Sequence, residues 1–173
     1  MEVVPVVPIV SLSEAQAYLR IETGQEEALL TGLIASVTST CENFLDFTLL
    51  ARAQGEVAEL GSDWTRLRAE PVRSIVRTDV INPGQGPAVE IESEIDLDGH
   101  AWLRRINGFE KIRVDVRVIV GLCETQSQVP EPVRQGALRL ISHLYRSRDE
   151  PGAEAIPAIV TALWRPYRRI QLV

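Results

Sequence analysis

Val129-Pro130-Glu131-Pro132-Val133-Arg134-Gln135-Gly136-Ala137-Leu138-Arg139-Leu140-Ile141-Ser142-His143-Leu144-Tyr145-Arg146-Ser147-Arg148-Asp149 is the stretch on which the fold turns. Pro132 suits a first helical turn, where its missing N–H has no intrahelical partner to lose. Pro130 pushes Val129 toward an extended backbone, so the helix has a hard start. Val133, Ala137, Leu140, Ile141, Leu144 and Tyr145 then recur at three and four, which makes one apolar face. Arg139, Arg146 and Arg148 fall on the other faces, and the last two sit where the helix dipole is negative. The spacing predicts a packed helix running to about Arg148.

Upstream lies a second helical block. Ser13 with Gln16 reads as a capping box opening a short helix to about Arg20, and Thr23 with Glu26 repeats the device. Leu30, Leu33, Ile34, Val37, Cys41, Phe44, Leu45 and Thr48 follow at helical spacing, while Glu27, Thr31, Ser39, Glu42 and Asp46 are expected to face away. Between the two helical blocks the period changes to two. Residues 72–81 read as a strand, 82–87 as a turn of breakers, and Val89, Ile91 and Ile95 as a return strand. Trp102 to Ile106 suggests another strand. Ile112, Val114, Val116, Val118 and Val120 alternate with Arg113, Asp115, Arg117 and Ile119, one face buried and one wet. After the core helix, a loop at 149–152 leads to a short helix from about Pro157, which Pro166 ends. Residues 167–173 read as an extended tail.

The expected class is therefore α+β. A long N-terminal helix packs on the C-terminal core helix in a mainly α-helical bundle, with an inserted small antiparallel sheet and extended termini. Residues 1–51 hold the N-terminal arm and helices, and 52–121 the β region. Residues 122–173 hold the core helix, short helix and tail, in one domain with the first block.

Bulk properties narrow the classes. The chain has 173 residues, 45% hydrophobic and 24% charged, enough for a real core. No run approaches the ~18 consecutive apolar residues of a membrane span, so no membrane partner is expected. The apolar residues 1–10 contain two prolines and lack a basic leader, which reads as an extended arm and not a signal peptide. Cys41 and Cys123, far apart, read as buried reduced thiols, and synthesis in the cytoplasm is the default. The net charge of −6 is uneven: −8 over residues 1–63, −1 over 64–130 and +3 over 131–173. An acidic front and a basic end suit a protein that meets different partners, or its own neighbour, at its two ends.

Motifs for chemistry are weak. Asp96-Leu97-Asp98-Gly99 resembles the start of a calcium loop, but the twelfth position, where a glutamate ligand belongs, is Asn107. Ordinary turn chemistry explains the four residues better. His100 and His143 have no metal-spaced companions, and no metal or cofactor is expected. No nucleophile elbow and no phosphate-binding glycine loop is present. Glu90, Glu92, Glu94, Asp96 and Asp98 alternate with apolar residues as the wet face of a strand would.

Three motifs in order resemble those of phage head–tail connector proteins. The first is Leu12-Ser13-Glu14-Ala15 leading to Leu19-Arg20. The second is Val129-Pro130-Glu131-Pro132-Val133-Arg134-Gln135 leading to His143-Leu144-Tyr145. The third is Trp164-Arg165-Pro166-Tyr167-Arg168-Arg169. Gly136 stands where that family usually has alanine, and Arg146-Ser147-Arg148 where Glu-Asn-Arg is commoner. The resemblance implies a non-enzymatic adaptor in the neck of a tailed phage or phage-like gene transfer particle. It implies a homo-oligomeric ring, usually of twelve copies, between the portal protein and a stopper or tail-side connector, with double-stranded DNA passing through unbound.

On that reading Trp164, Arg165, Tyr167, Arg168, Arg169, Ile170, Leu172 and Val173 form the portal and subunit interface, since aromatic and arginine side chains anchor interfaces. Arg139, Arg146 and Arg148 are candidates for contacts between subunits. Glu26, Glu27 and Glu42 are candidates for an acidic channel face that repels phosphate. Removing residues 167–173 is expected to spare the fold and abolish portal docking. Two other classes compete: a nucleic-acid-binding accessory protein using the C-terminal arginines, and a small hydrolase built from scattered carboxylates. Salt-sensitive DNA affinity would mark the first, a concave pocket with perturbed titrating groups the second.

Overall fold

Residues 129–148 fold as the prolines among them dictate. In a computed structural model, which describes residues 6–21, 26–82, 88–148 and 156–169, they form the third of four helices. These are α1 (Leu12–Leu19), α2 (Glu27–Leu45), α3 (Glu131–Arg146) and α4 (Ala158–Trp164). Among the described residues, six strands lie between α2 and α3: β1 (Arg52–Leu60), β2 (Thr65–Arg66), β3 (Val72–Val80), β4 (Ile91–Ile95), β5 (Ala101–Arg105) and β6 (Ile112–Val120). The class is α+β. Two compact units divide the chain, one gathering the strands of Ala51–Leu122, the other the helices of Pro5–Leu50 and Cys123–Val173.

The helical unit has one apolar core. Ile34, Val37, Cys41 and Leu45 of α2 bury together with Val133, Ala137, Leu140 and Ile141 of α3 and with Val160 and Trp164 of α4. Burial of Leu-, Ile- and Val-sized side chains stabilises by about 1.5–3 kcal/mol each, so these faces dominate over helix propensity. α2 is 19 residues long with mean hydropathy 1.2, long and apolar enough by composition to cross a membrane. Its packed face nevertheless includes Thr38 and Glu42, each satisfied by a hydrogen bond, as a protein core requires.

Several expectations change here. The cap of α1 is Ser11, whose Oγ accepts the Glu14 N–H at 3.2 Å, and not Ser13 with Gln16. Thr23 lies outside the described residues, and Glu26 makes no capping bond of its own. The N-terminal arm is not free along its length: Ile9 and Val10 are buried, and the Ile9 N–H donates to Thr38 Oγ1 at 3.3 Å. Glu42 does not face away. Its Oε1 accepts the Leu49 N–H at 2.8 Å, which pins the chain leaving α2. Both cysteines are buried and free, and burial pushes the Cys41 thiol well above its ordinary range.

The β unit contains two antiparallel sheets, not the single one expected. One has the order β1-β6-β3 and the other β2-β5-β4. β6 is central because its strict alternation buries Val114, Val116, Val118 and Val120 on one face. β1 pairs along its whole length, from Arg52 opposite Val120 to Leu60 opposite Ile112. β3 pairs β6 on the other side, with two register shifts. The return strand expected opposite residues 72–81 does not return to them. β4 pairs β5 in the other sheet, Ile91 opposite Arg105 through Ile95 opposite Ala101. Residues 83–87 of the expected turn lie outside the described residues.

The helical unit closes across the point where the strands leave it. Leu50 and Cys123 form an isolated parallel bridge, and the Cys123 N–H donates to Leu49 O at 2.8 Å.

Candidate assembly interface

Helix α4 and the chain after it carry most of the residues that the sequence assigns to partners. Trp164 is an exception to that assignment. It is fully buried, its indole N–H donates to Val133 O at 3.0 Å, and its ring lies tilted 5.8 Å from Phe44. Gly136 makes the room. A Cβ at that position would come within 2.8 Å of Trp164 Cδ1, so the glycine is a seat for the indole. Trp164 is thus a core anchor and not an interface side chain.

Beyond it the chain does not run straight out. Arg165–Tyr167 form a single 3-10 turn, because Pro166 has no N–H to continue α4. Tyr167, expected in an extended tail, is half-buried against the helical core. The Arg169 N–H donates to Leu45 O at 3.1 Å, one of the carbonyls left open at the end of α2. Arg168 and Arg169 lie over the rings of Phe44 and Phe47, each 5.6 Å from the centroid. Their guanidinium groups also sit near the negative end of the α2 dipole. Arg165 and Arg168 are exposed, while Ile170, Leu172 and Val173 lie outside the described residues.

The candidate channel acids separate. Glu27 is exposed and Glu42 is buried. Glu26 accepts a hydrogen bond from the Tyr145 hydroxyl and one from Arg148 Nη1 at 3.3 Å. Arg148 in turn lies 5.4 Å from the Tyr145 ring centroid. The Tyr145 hydrogen bond, helped by Arg148, holds the Glu26 carboxyl below its ordinary range, against a smaller opposing effect of burial. The same bond pushes the Tyr145 phenol up. Glu26 and Arg148, assigned from sequence to two different surfaces, are each other's partner within the chain.

Arg139 and Arg146 are exposed on α3, and His143 falls between them at helical spacing. With Tyr18, Ser142, Ser147 and the α4 residues Ile159 and Val160 they line an open cleft of about 450 Å³. This groove brings together two of the sequence-assigned arginines, Arg139 and Arg146. A second lock stands apart from it: Arg134 Nη2 pairs with Glu14 Oε1 at 2.5 Å, joining α3 to α1.

In the β unit the Asp96–His100 turn is braced by one carboxylate. Asp96 Oδ1 accepts the backbone N–H groups of Asp98 at 3.0 Å and His100 at 2.8 Å, while Oδ2 meets His100 Nδ1 at 2.8 Å. The backbone N–H of His100 is the main reason that the Asp96 carboxyl falls to about 2. Asp96, Asp98 and His100 are the one group among the described residues close enough to share a metal ion. These hydrogen bonds make Asp96 the brace of the turn, the role that the sequence reading expects of Asp and Gly there.

No protein-family model matches the sequence, and no curated protein is similar to it. Solved structures share the fold. A chain in the neck of an empty gene transfer agent particle, computed with C6 symmetry, matches 95% of this chain and 92% of its own at TM-score 0.71. A chain in the virion of the native particle matches over the same shares at TM-score 0.72. A chain in the native neck computed with C12 symmetry matches 99% of this chain and 98% of its own at TM-score 0.63. All three are 19% identical to it.

Proposed function

We propose that this chain is a structural subunit of the neck of a phage-like particle, one copy in a homo-oligomeric ring. The carrying observation is the fold shared with gene transfer agent neck chains across nearly the full length of both partners. A likeness that spans the helical core and the strands together is harder to reach by chance than a match of one common motif. The C12 symmetry of one such neck supports a ring of twelve.

In this reading the helices form a bundle that builds the ring wall. The groove bearing Arg139 and Arg146 receives acidic side chains of the neighbouring copy. The chain after Trp164, with exposed Arg165 and Arg168, meets the portal, and residues 170–173 extend that contact. The strands face a stopper or tail-side connector, to which the fully exposed Leu97 and Phe109 at two turns offer apolar anchors. Double-stranded DNA passes along the ring without being held. Of the three acids assigned to a channel wall, Glu27 remains exposed for it.

Electron microscopy of the purified protein mixed with its portal tests the proposal. The expected result is a closed ring of twelve seated on the portal, lost on joint Arg139→Glu and Arg146→Glu substitution. A protein that stays monomeric and ignores the portal would sink it. Salt-sensitive duplex affinity that depends on the same two arginines would favour the DNA-binding reading instead.

A further inference from the structure

The β2–β5–β4 sheet carries a pocket that the neck reading does not use. On its exposed face two rungs stand side by side. Glu92 of β4 is opposite Arg104 of β5, and Glu94 is opposite Trp102. Residues two apart on a strand share a face, so all four point the same way. In the first rung, Arg104 Nε donates to Glu92 Oε2 at 2.7 Å, and the guanidinium stacks 4.5 Å from the Trp64 ring centroid. Indole, guanidinium and carboxylate form a complete set.

The second rung has the same walls and lacks the cation. Trp64, Trp102, Glu94 and Asp96 line an open pocket of about 300 Å³. Trp64 is 36% exposed and Glu94 lies open to solvent. The Trp102 indole N–H donates to Asp96 Oδ2 at 3.4 Å, which orients that ring. Among the described residues no lysine or arginine pairs with Glu94 or Asp96. Asp96 already meets His100 Nδ1 at 2.8 Å and lends the pocket only its nearby charge, so the Glu94 carboxylate and the two aromatic walls are what attract a cation, through charge and ring quadrupole together. A planar guanidinium uses such a site better than an ammonium, because it stacks on an indole and forks a carboxylate at once.

We infer that this pocket binds the guanidinium group of an arginine presented by a partner protein, repeating in trans the contact that Arg104 makes in cis. The surface thereby acquires a stated occupant: an arginine side chain seated between Trp64 and Trp102 with Glu94 as its counter-ion. The His100 backbone N–H and the other hydrogen bonds to Asp96 lower its carboxyl to about 2, which favours a negative charge beside the pocket. Selectivity follows from the walls, which reward charge and planarity and not length.

The test uses the full chain and N-acetyl-arginine amide as probe, following the three tryptophan indole N–H signals by NMR. The signals of Trp64 and Trp102 are expected to shift saturably while that of Trp164, buried in the helical unit, stays still. Glu94→Gln, on an exposed position, is expected to weaken binding about fivefold, as is raising the salt to about 1 M. Trp64→Ala is expected to abolish the response, with an unmoved Trp164 signal as the check on folding. N-acetyl-norleucine amide, which has a stem and no charge, is expected to give none. No saturable shift, an equal response to the norleucine amide, or an unchanged affinity in Glu94→Gln would overturn the inference. N-acetyl-lysine amide binding as tightly as the arginine probe would overturn the assignment to arginine.

Discussion

Two glycines on neighbouring helices predict opposite outcomes for one substitution. Gly32, exposed in the middle of α2, has nothing within 4 Å of an added Cβ. Gly32→Ala is therefore expected to stabilise by up to about 1 kcal/mol, the helix-propensity difference. Gly136→Ala gains the same propensity but drives its methyl into Trp164, which is fully buried and cannot swing away. Overpacking costs about 1–3 kcal/mol, so against a gain of about 1 the net is a loss of up to about 2. Thermal unfolding followed by helical circular dichroism separates the two signs; equal shifts would refute the seat. Glu42→Ala leaves the buried Leu49 N–H without its acceptor, at a cost of about 1–3 kcal/mol, to be read as a lower urea midpoint. These residues also mark where sequence reading stops. Thr38, Glu42 and Leu45 lie on one buried stripe, but a charge at 42 reads as surface until the Leu49 N–H is known to need it. The apparent oddity of Gly136 is visible in sequence, whereas its cause, a tryptophan 28 residues later, is a tertiary fact.

Between elements, the hydrogen-bonded set at the start of α2 and the end of α3 gives a pH signature. The folded Glu26 carboxyl titrates below its ordinary 4.5, so its contribution is complete above about pH 4.5 and is lost as pH falls through the folded value. The raised Tyr145 phenol works at the other end: its contribution holds below about pH 10 and fades above it. Tyr145→Phe removes the largest cause of the Glu26 shift. The Glu26 carbon signal is expected to titrate nearer 4.5 in the variant, and the stability gap to the parent protein is expected to close in acid. A Glu26 titration identical in both proteins would count against the bond. The long helices and β6 were legible because their buried faces are made of large apolar side chains at a clean period. β1 was not. Its inward positions hold Arg52, Gln54, Glu56, Ala58 and Leu60, while Ala53 and Val57 point outward, so its polarity runs against its burial. β6 recruits it through backbone pairing, and Glu56 accepts the N–H groups of Arg68 and Ala69, at 2.9 and 3.0 Å for Oε2. Nothing in the strand's own spelling reports either event.

For the whole chain, the resemblance legible in three sequence motifs agrees with the fold shared with neck chains, although the motifs misassigned Trp164. The seating of the C-terminal residues refines how the proposed portal contact is to be probed. Truncation from Tyr167 strips side chains off Phe44 and Phe47 and removes the Arg169 N–H bond to Leu45 O, so it is expected to lower the unfolding temperature of the helical unit. Truncation of 170–173 alone is the cleaner experiment: an unchanged melting curve with lost portal seating in electron microscopy is expected, and retained seating would refute that role. The bridge between Leu50 and Cys123 has a different consequence. Its two strands of chain already touch, so a few glycines and serines in place of Ala51–Leu122 are expected to leave a folded helical protein with a cooperative melt and a buried Trp164. A molten spectrum would refute it. If that closure holds, the β region behaves as an exchangeable cartridge: its length, pockets and loops are free to diversify against new neighbours, while the socket that carries it stays unchanged.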